Sequence, residues 1–142
     1  MTLTGASGGS TTTDAAGNYS FTGLPFGGSY KVTPTKAALP PGSTGINALD
    51  VIALIRYHLP GPIPTLIGCP LMAADVNGIG GINQVDINAI QRFSLGLSTG
   101  IANVGKCQFT PATRTYPGLV TDQTAQNYDT LVFGDVASPF VE

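Results

Sequence analysis

Read by the spacing of its apolar positions, the chain falls into three stretches. From residue 1 to 36, short runs alternate large apolar and small polar residues: Thr2-Leu-Thr, Ser10-Thr-Thr-Thr, Tyr19-Ser-Phe-Thr and Ser29-Tyr-Lys-Val-Thr. A period of two predicts strands with Tyr19 and Phe21, or Tyr30 and Val32, on one face. Turn formers separate the runs, at Gly5 to Gly9, at Asp14-Ala-Ala-Gly-Asn18 and at Gly23 to Gly28. The period then lengthens and predicts two helices, over roughly 48–59 and 84–95. Val51, Ile55 and Leu59, with Ala48 and Ile52 beside them, form the expected buried stripe of the first helix. Val85, Ala89 and Phe93, with Ile90, form that of the second. Pro60-Gly61 and Gly96 are the expected stops. From residue 105 the extended pattern returns, and its last strand is marked by Tyr128, Leu131 and Phe133.

The two helical segments are copies of one unit. Gly45-Ile-Asn-Ala-Leu-Asp-Val-Ile-Ala-Leu-Ile-Arg-Tyr-His-Leu59 is repeated as Gly81-Ile-Asn-Gln-Val-Asp-Ile-Asn-Ala-Ile-Gln-Arg-Phe-Ser-Leu95, with Gly, Ile, Asn, Asp, Ala, Arg and Leu at matching places. The second copy is preceded by Asp75-Val-Asn-Gly-Ile-Gly-Gly-Ile-Asn-Gln-Val-Asp86. Oxygen side chains at the first, third, ninth and twelfth places, with glycine between, lay out a calcium loop that enters a helix. A hard cation needs several oxygens from one short segment, and glycine lets the backbone turn tightly enough to aim them. Asn47 with Asp50, and Asn83 with Asp86, equally fit a capping box. For the first copy, cap and ligand readings stand level. In the second, Asp75 and Asn77 have no capping role, which favours the metal.

Charged residues make up only 10% of the chain and the net charge is -2, against about 25% charged in an average soluble protein. The chain has no basic footprint, so nucleic acid is not an expected partner. No apolar run is long enough to span a bilayer, so membrane insertion is not expected either. Met1 leads directly into Thr-Leu-Thr-Gly, with no leader pattern. Weak surface charge favours assembly. His58 is the only histidine and Glu142 the only glutamate. No nucleophile motif, phosphate loop or zinc cluster accompanies them, so no enzyme activity is expected. Asn18-Tyr-Ser fits a glycosylation sequon, but a turn asparagine is the simpler reading.

Two resemblances add to this. Thr11-Thr-Thr-Asp-Ala-Ala-Gly-Asn-Tyr-Ser-Phe-Thr-Gly-Leu-Pro-Phe-Gly-Gly-Ser-Tyr-Lys-Val-Thr-Pro34 resembles the carboxypeptidase-regulatory-like (prealbumin-like, collagen-adhesin B-type) β-sandwich of secreted bacterial surface proteins, and Cys107 to Thr130 resembles its closing half. Members usually carry one more strand before the segment matching Thr2 to Thr4. Asp-Val-Asn-Gly and Gly-Ile-Asn-x-x-Asp, over Gly42 to Leu97, resemble dockerin modules, which carry two F-hand calcium sites. That resemblance implies ligand places at Asp75, Asn77, Ile79, Gly81, Asn83 and Asp86. Gly81 would offer its carbonyl and Asp86 would be bidentate, while Ile79 has no side-chain oxygen to give. A second, weaker or absent site would use Gly45, Asn47 and Asp50, since Leu39 and Pro41 stand at its early ligand places. The level of affinity expected is that of extracellular modules, roughly 10⁻⁴–10⁻³ M.

The expected fold class is α+β: an antiparallel Ig- or prealbumin-like β-sandwich, residues 1–36 and 105–142, with a dockerin-like two-helix calcium module, residues 37–104, inserted into it. A Cys69–Cys107 disulfide would clamp the insert and stabilise it by roughly 4 kcal/mol, although two buried thiols are the competing reading. The leading functional expectation is an extracellular, calcium-stabilised subunit of a bacterial surface fibre. It would bind copies of itself by strand exchange, with Ala137 to Glu142 or Thr2 to Thr4 as donor. The alternatives are a module that docks a cohesin-type partner, or a spacer in a longer surface protein.

Overall fold

A computed structural model describes residues 1–59, 66–100 and 103–137. In chain order the elements are β1 (Thr2–Gly5), β2 (Gly9–Ser10), β3 (Tyr30–Thr33), α1 (Ala48–Tyr57), α2 (Cys69–Ala74), α3 (Gln84–Ser94), β4 (Cys107–Thr110), β5 (Arg114–Tyr116) and β6 (Asp129–Val132). They divide into two compact units. Met1–Lys36 and Phe109–Thr130 form the first; Ala37–Gln108 and the described chain from Leu131 to Ala137 form the second.

The first unit is built on an antiparallel sheet of order β2-β1-β3-β5. Leu3 faces Val32, and Tyr30 faces Tyr116. These pairs put Leu3, Tyr30 and Val32 into one small core. The other sheet among the described residues is the two-stranded pair β4-β6. Tyr19, Phe21, Leu24, Leu119 and Tyr128 pack against the small core from segments outside the strands. Of the strands predicted at 10–13 and 19–22, only Gly9–Ser10 is a strand. Side-chain hydroxyls anchor the extended segments where a ladder would otherwise run. Tyr19 donates to the Gln126 carbonyl (2.7 Å), and Tyr128 donates to the Val32 carbonyl (3.1 Å). Asn18 is a turn residue as expected. Its backbone N–H and side-chain amide both donate to Asp14, whose carboxyl is held below the usual range by those bonds. The left-handed position of that turn belongs to Gly17 (φ 80°).

The second unit packs α1 against α3, with α2 beside them. Leu54 and Ile90 are fully buried at its centre, and Val51, Ala89 and Phe93 surround them. Of these, Val51, Leu54, Ile90 and Phe93 are each worth about 1.5–3 kcal/mol when buried. The predicted helices exist, but the stripes need correcting. Ala48, Ile52, Ile55 and Leu59 are exposed, and Leu54 takes the inner place. Val85 is likewise exposed, and Ile87 is buried in its stead. Pro60 and Gly61, the predicted stop of α1, lie outside the described residues. The short helix α2 was not anticipated, because Cys-Pro-Leu-Met-Ala-Ala is too brief to show a period.

A strap closes this unit. The expected last strand is present as β6, paired with β4, and from Leu131 the chain belongs to the helical unit. Phe133 exchanges backbone bonds with Gly105 and Lys106 (2.8 and 2.9 Å), and Gly134 donates to the Ala73 carbonyl of α2 (2.8 Å). Val132 and Val136 are buried in the same core as Leu54 and Ile90. The places where the chain enters and leaves the helical unit are joined directly, since the Leu39 N–H donates to the Gly105 carbonyl (2.8 Å). No disulfide is made: Cys69, in the first turn of α2, is exposed, and it is not bridged to Cys107 in β4. The backbone bonds of Leu39, Gly105 and Phe133 perform the clamping that the disulfide was expected to perform.

Two outcomes follow from this packing. Gly105 has φ 81°, and a Cβ there would lie 2.8 Å from both the Leu39 carbonyl and the Phe93 ring. Gly105→Ala should therefore lower stability by about 2–4 kcal/mol, measured by denaturant unfolding, from left-handed strain plus overpacking. Tyr128 has its hydroxyl pushed up to about 12, first by burial and then by Tyr19 and Tyr116, with Arg114 opposing. The neutral phenol is the form that folds, so its contribution is complete below pH 10.0 and is lost as pH rises through about 12. Tyr128→Phe should move alkaline unfolding to higher pH, as followed by circular dichroism beside tyrosinate absorbance.

Candidate calcium site

Both copies of the repeat form complete capping boxes. Asn47 Oδ1 accepts from the Leu49 N–H (2.9 Å), and Asp50 Oδ2 accepts from the Asn47 N–H (2.8 Å). In the second copy the matching bonds are Val85 N–H to Asn83 Oδ1 (2.9 Å) and Asn83 N–H to Asp86 Oδ2 (3.0 Å). Each satisfies donors that a helix start would leave orphaned. The cap and ligand readings are therefore not exclusive, because a carboxylate oxygen has a second lone pair to offer.

Asp50 and Asp86 are both essentially inaccessible (1% and 0% exposed), and their remaining oxygens diverge. Asp86 Oδ1 accepts from the Asn77 N–H (3.0 Å), the third place of its own loop. Asp50 Oδ1 accepts from the N–H groups of Val136 (2.7 Å) and Ala137 (2.8 Å), in the strap.

The Asp75–Asp86 loop is folded by its own side chains. Asp75 Oδ1 takes the Gly78 N–H (2.8 Å) and Asn77 Oδ1 takes the Ile79 N–H (2.6 Å). Gly78, Gly80 and Gly81 all have positive φ (70°, 74° and 73°), the conformation for which the loop needs glycine. The Asn83 amide group donates to two carbonyls at once, Ile79 (3.2 Å) and Gly81 (3.0 Å). Two backbone oxygens thus converge on one point, now taken by the Asn83 amide group, and Asp86 accepts from the backbone of the same residue. That cradle fits a hard cation. Its donors are carboxylate, amide and carbonyl oxygens, and no group of three or more His, Cys, Asp or Glu forms among the described residues. Such a set suits calcium in preference to zinc. Ile79 is 73% exposed, so its side chain leaves the loop, and what that place can offer is its carbonyl. This carbonyl was not foreseen, and only the backbone trace reveals it.

The structure thus presents a helix-pair module with one intact oxygen-rich loop. Comparison with protein families agrees: residues 42–93 match the Dockerin type I domain. The dockerin resemblance read over Gly42 to Leu97 is borne out by that match, and calcium is the cofactor of the module. The sandwich resemblance of the flanks has no such support. No curated protein and no solved structure matches the chain.

Asp75 and Asp86 are the carboxylates that would hold calcium here, and the ion would offset their charge and tie the loop to the start of α3. Introducing a carboxylate at the fifth place should strengthen this. Ile79→Asp is expected to tighten calcium binding by about tenfold or more, measured by titration calorimetry, because affinity follows the count of charged ligands. The substituted side chain is exposed, so folding should be little affected. Unchanged affinity would mean that the fifth place faces away from the ion.

Proposed function

We propose that this chain is a non-enzymatic, extracellular docking module, stabilised by calcium, whose partner is a cohesin-type domain. The match of residues 42–93 to the Dockerin type I domain carries this reading. The surface of α1 agrees with it. Leu49, Ile52 and Ile55 are exposed, with Leu59 just past the last turn. On a helix of 3.6 residues per turn they share about a third of the circumference, next to the buried stripe of Val51 and Leu54. The matching outer face of α3 is more polar, with Asn88 and Gln91 in place of Ile52 and Ile55. The docking face is therefore assigned to α1.

A hollow of about 1330 Å³ lies over the sheet of the first unit, and Asp122 is the one carboxylate among its lining residues. Fibre assembly by strand exchange has weaker support. β1 is paired on both sides, to β2 and to β3, so Thr2–Thr4 is not free to be donated. Of the other donor considered, residues 138–142 lie outside the described residues, and Ala137 is bonded to Asp50. No helix among the described residues is long and apolar enough to cross a membrane.

Titration of the chain against cohesin domains in millimolar calcium tests the reading. Ile52→Asp together with Leu49→Asp should weaken binding by at least about tenfold, the cost of removing central apolar anchors. Circular dichroism should remain unchanged. Absence of binding to any cohesin, with filaments seen in electron micrographs, would return the fibre reading to first place.

A further inference from the structure

We propose that this module holds a single calcium ion, and that in its first copy the strap residues Val136 and Ala137 take the place of the second. The first loop does not fit a cation. Leu39, at its first ligand place, packs against the core of the helical unit. Pro41, at the third, has no side-chain oxygen, and Ser43, at the fifth, donates its hydroxyl to the Pro40 carbonyl (2.6 Å). Asp50, the twelfth, accepts two backbone N–H groups on Oδ1 and a third on Oδ2. Two N–H groups aimed at one oxygen supply the positive charge density that an ion would supply, and they fill the lone pairs it would need. In the second copy the corresponding oxygen accepts one N–H, from Asn77 of its own loop, and the oxygen-rich cradle beside it is intact.

The two helices therefore answer differently to calcium. The start of α3 depends on a loop whose charges the ion balances. The start of α1 is held by covalently connected backbone, at an effective concentration that no chelator changes. The apolar face of α1 persists in calcium-free solution, while the Asp75–Asp86 loop loosens.

The test uses the whole chain without any partner, so it stands or falls separately from the docking reading. Calcium titration should give one ion per chain. Hydrogen exchange in chelator should show lost protection from Asn77 to Val85, with Leu54, Val136 and Ala137 unchanged. Asp50→Asn should leave one ion bound but lower protection of Val136 and Ala137 by about tenfold or more, since both donors lose a charged acceptor. If Asp50→Asn does not fold, Ala137→Pro deletes one donor and leaves the carboxylate, and the same loss should appear at Val136. Two ions per chain would overturn the proposal. So would joint loss of protection at α1 and α3 in chelator, or unaltered protection of the strap in both variants.

Discussion

The helical unit depends on a buried carboxylate that is wholly paired. Asp50 is 1% exposed, and its two oxygens accept the N–H groups of Asn47, Val136 and Ala137. An unpaired carboxylate there would be very costly, and three otherwise orphaned donors would each lose about 1–3 kcal/mol. One side chain thus fixes the start of α1, the path of the strap and the seating of Val136 against Leu54 and Ile90. The remaining strap bonds, from Phe133 and Gly134, reach the exit of the unit and α2. What looks from the sequence like a vestigial ligand is the point at which the two ends of this unit are tied.

The first unit solves a different problem with different means. Its sheet is small, and extended segments outside the strands pack on its apolar face. Aromatic rings supply the apolar area, and the hydroxyls of Tyr19 and Tyr128 reach backbone carbonyls. Arg114 lies over the Tyr128 ring, 5.4 Å from its centroid, and donates to Gln126 and Asn127. These contacts tie Tyr19, Tyr116 and Tyr128 into one cluster, which is why burial raises all three hydroxyls.

The parts of this architecture legible in the sequence are those written in local side-chain patterns. The repeat, both capping boxes and the Asp75–Asp86 loop follow from residue type at fixed spacing, and the dockerin match falls on them. The choice of buried face on α1 was not legible. Val51, Ile52, Leu54 and Ile55 are all apolar, so periodicity marks the helix without saying which of two adjacent stripes turns inward. The strap was hidden for a stronger reason. Its contacts to Asp50 are made by backbone N–H groups, which every residue but proline possesses, and Gly134 contributes only its amide. The absence of the disulfide has the same origin, since hydrogen bonds between Leu39, Gly105 and Phe133 leave no trace in residue identity.

Duplication gave both copies the same cap, and divergence then separated their uses. The helix with the apolar outer face is the one whose start is tied by the chain itself. The helix whose start meets the oxygen-rich loop carries Asn88 and Gln91 outward. A recognition face must keep its geometry before its partner arrives, because ordering it on binding subtracts from affinity. Backbone donors on Asp50 provide that order without reference to the surroundings, whereas an extracellular ion site of modest affinity provides it only where calcium is plentiful. On this argument the loss of ligands at Leu39 and Pro41 is no decay of a site. In the proposed reading it accompanies the exchange of a soluble ion for a permanent tie, in the copy to which the docking face is assigned.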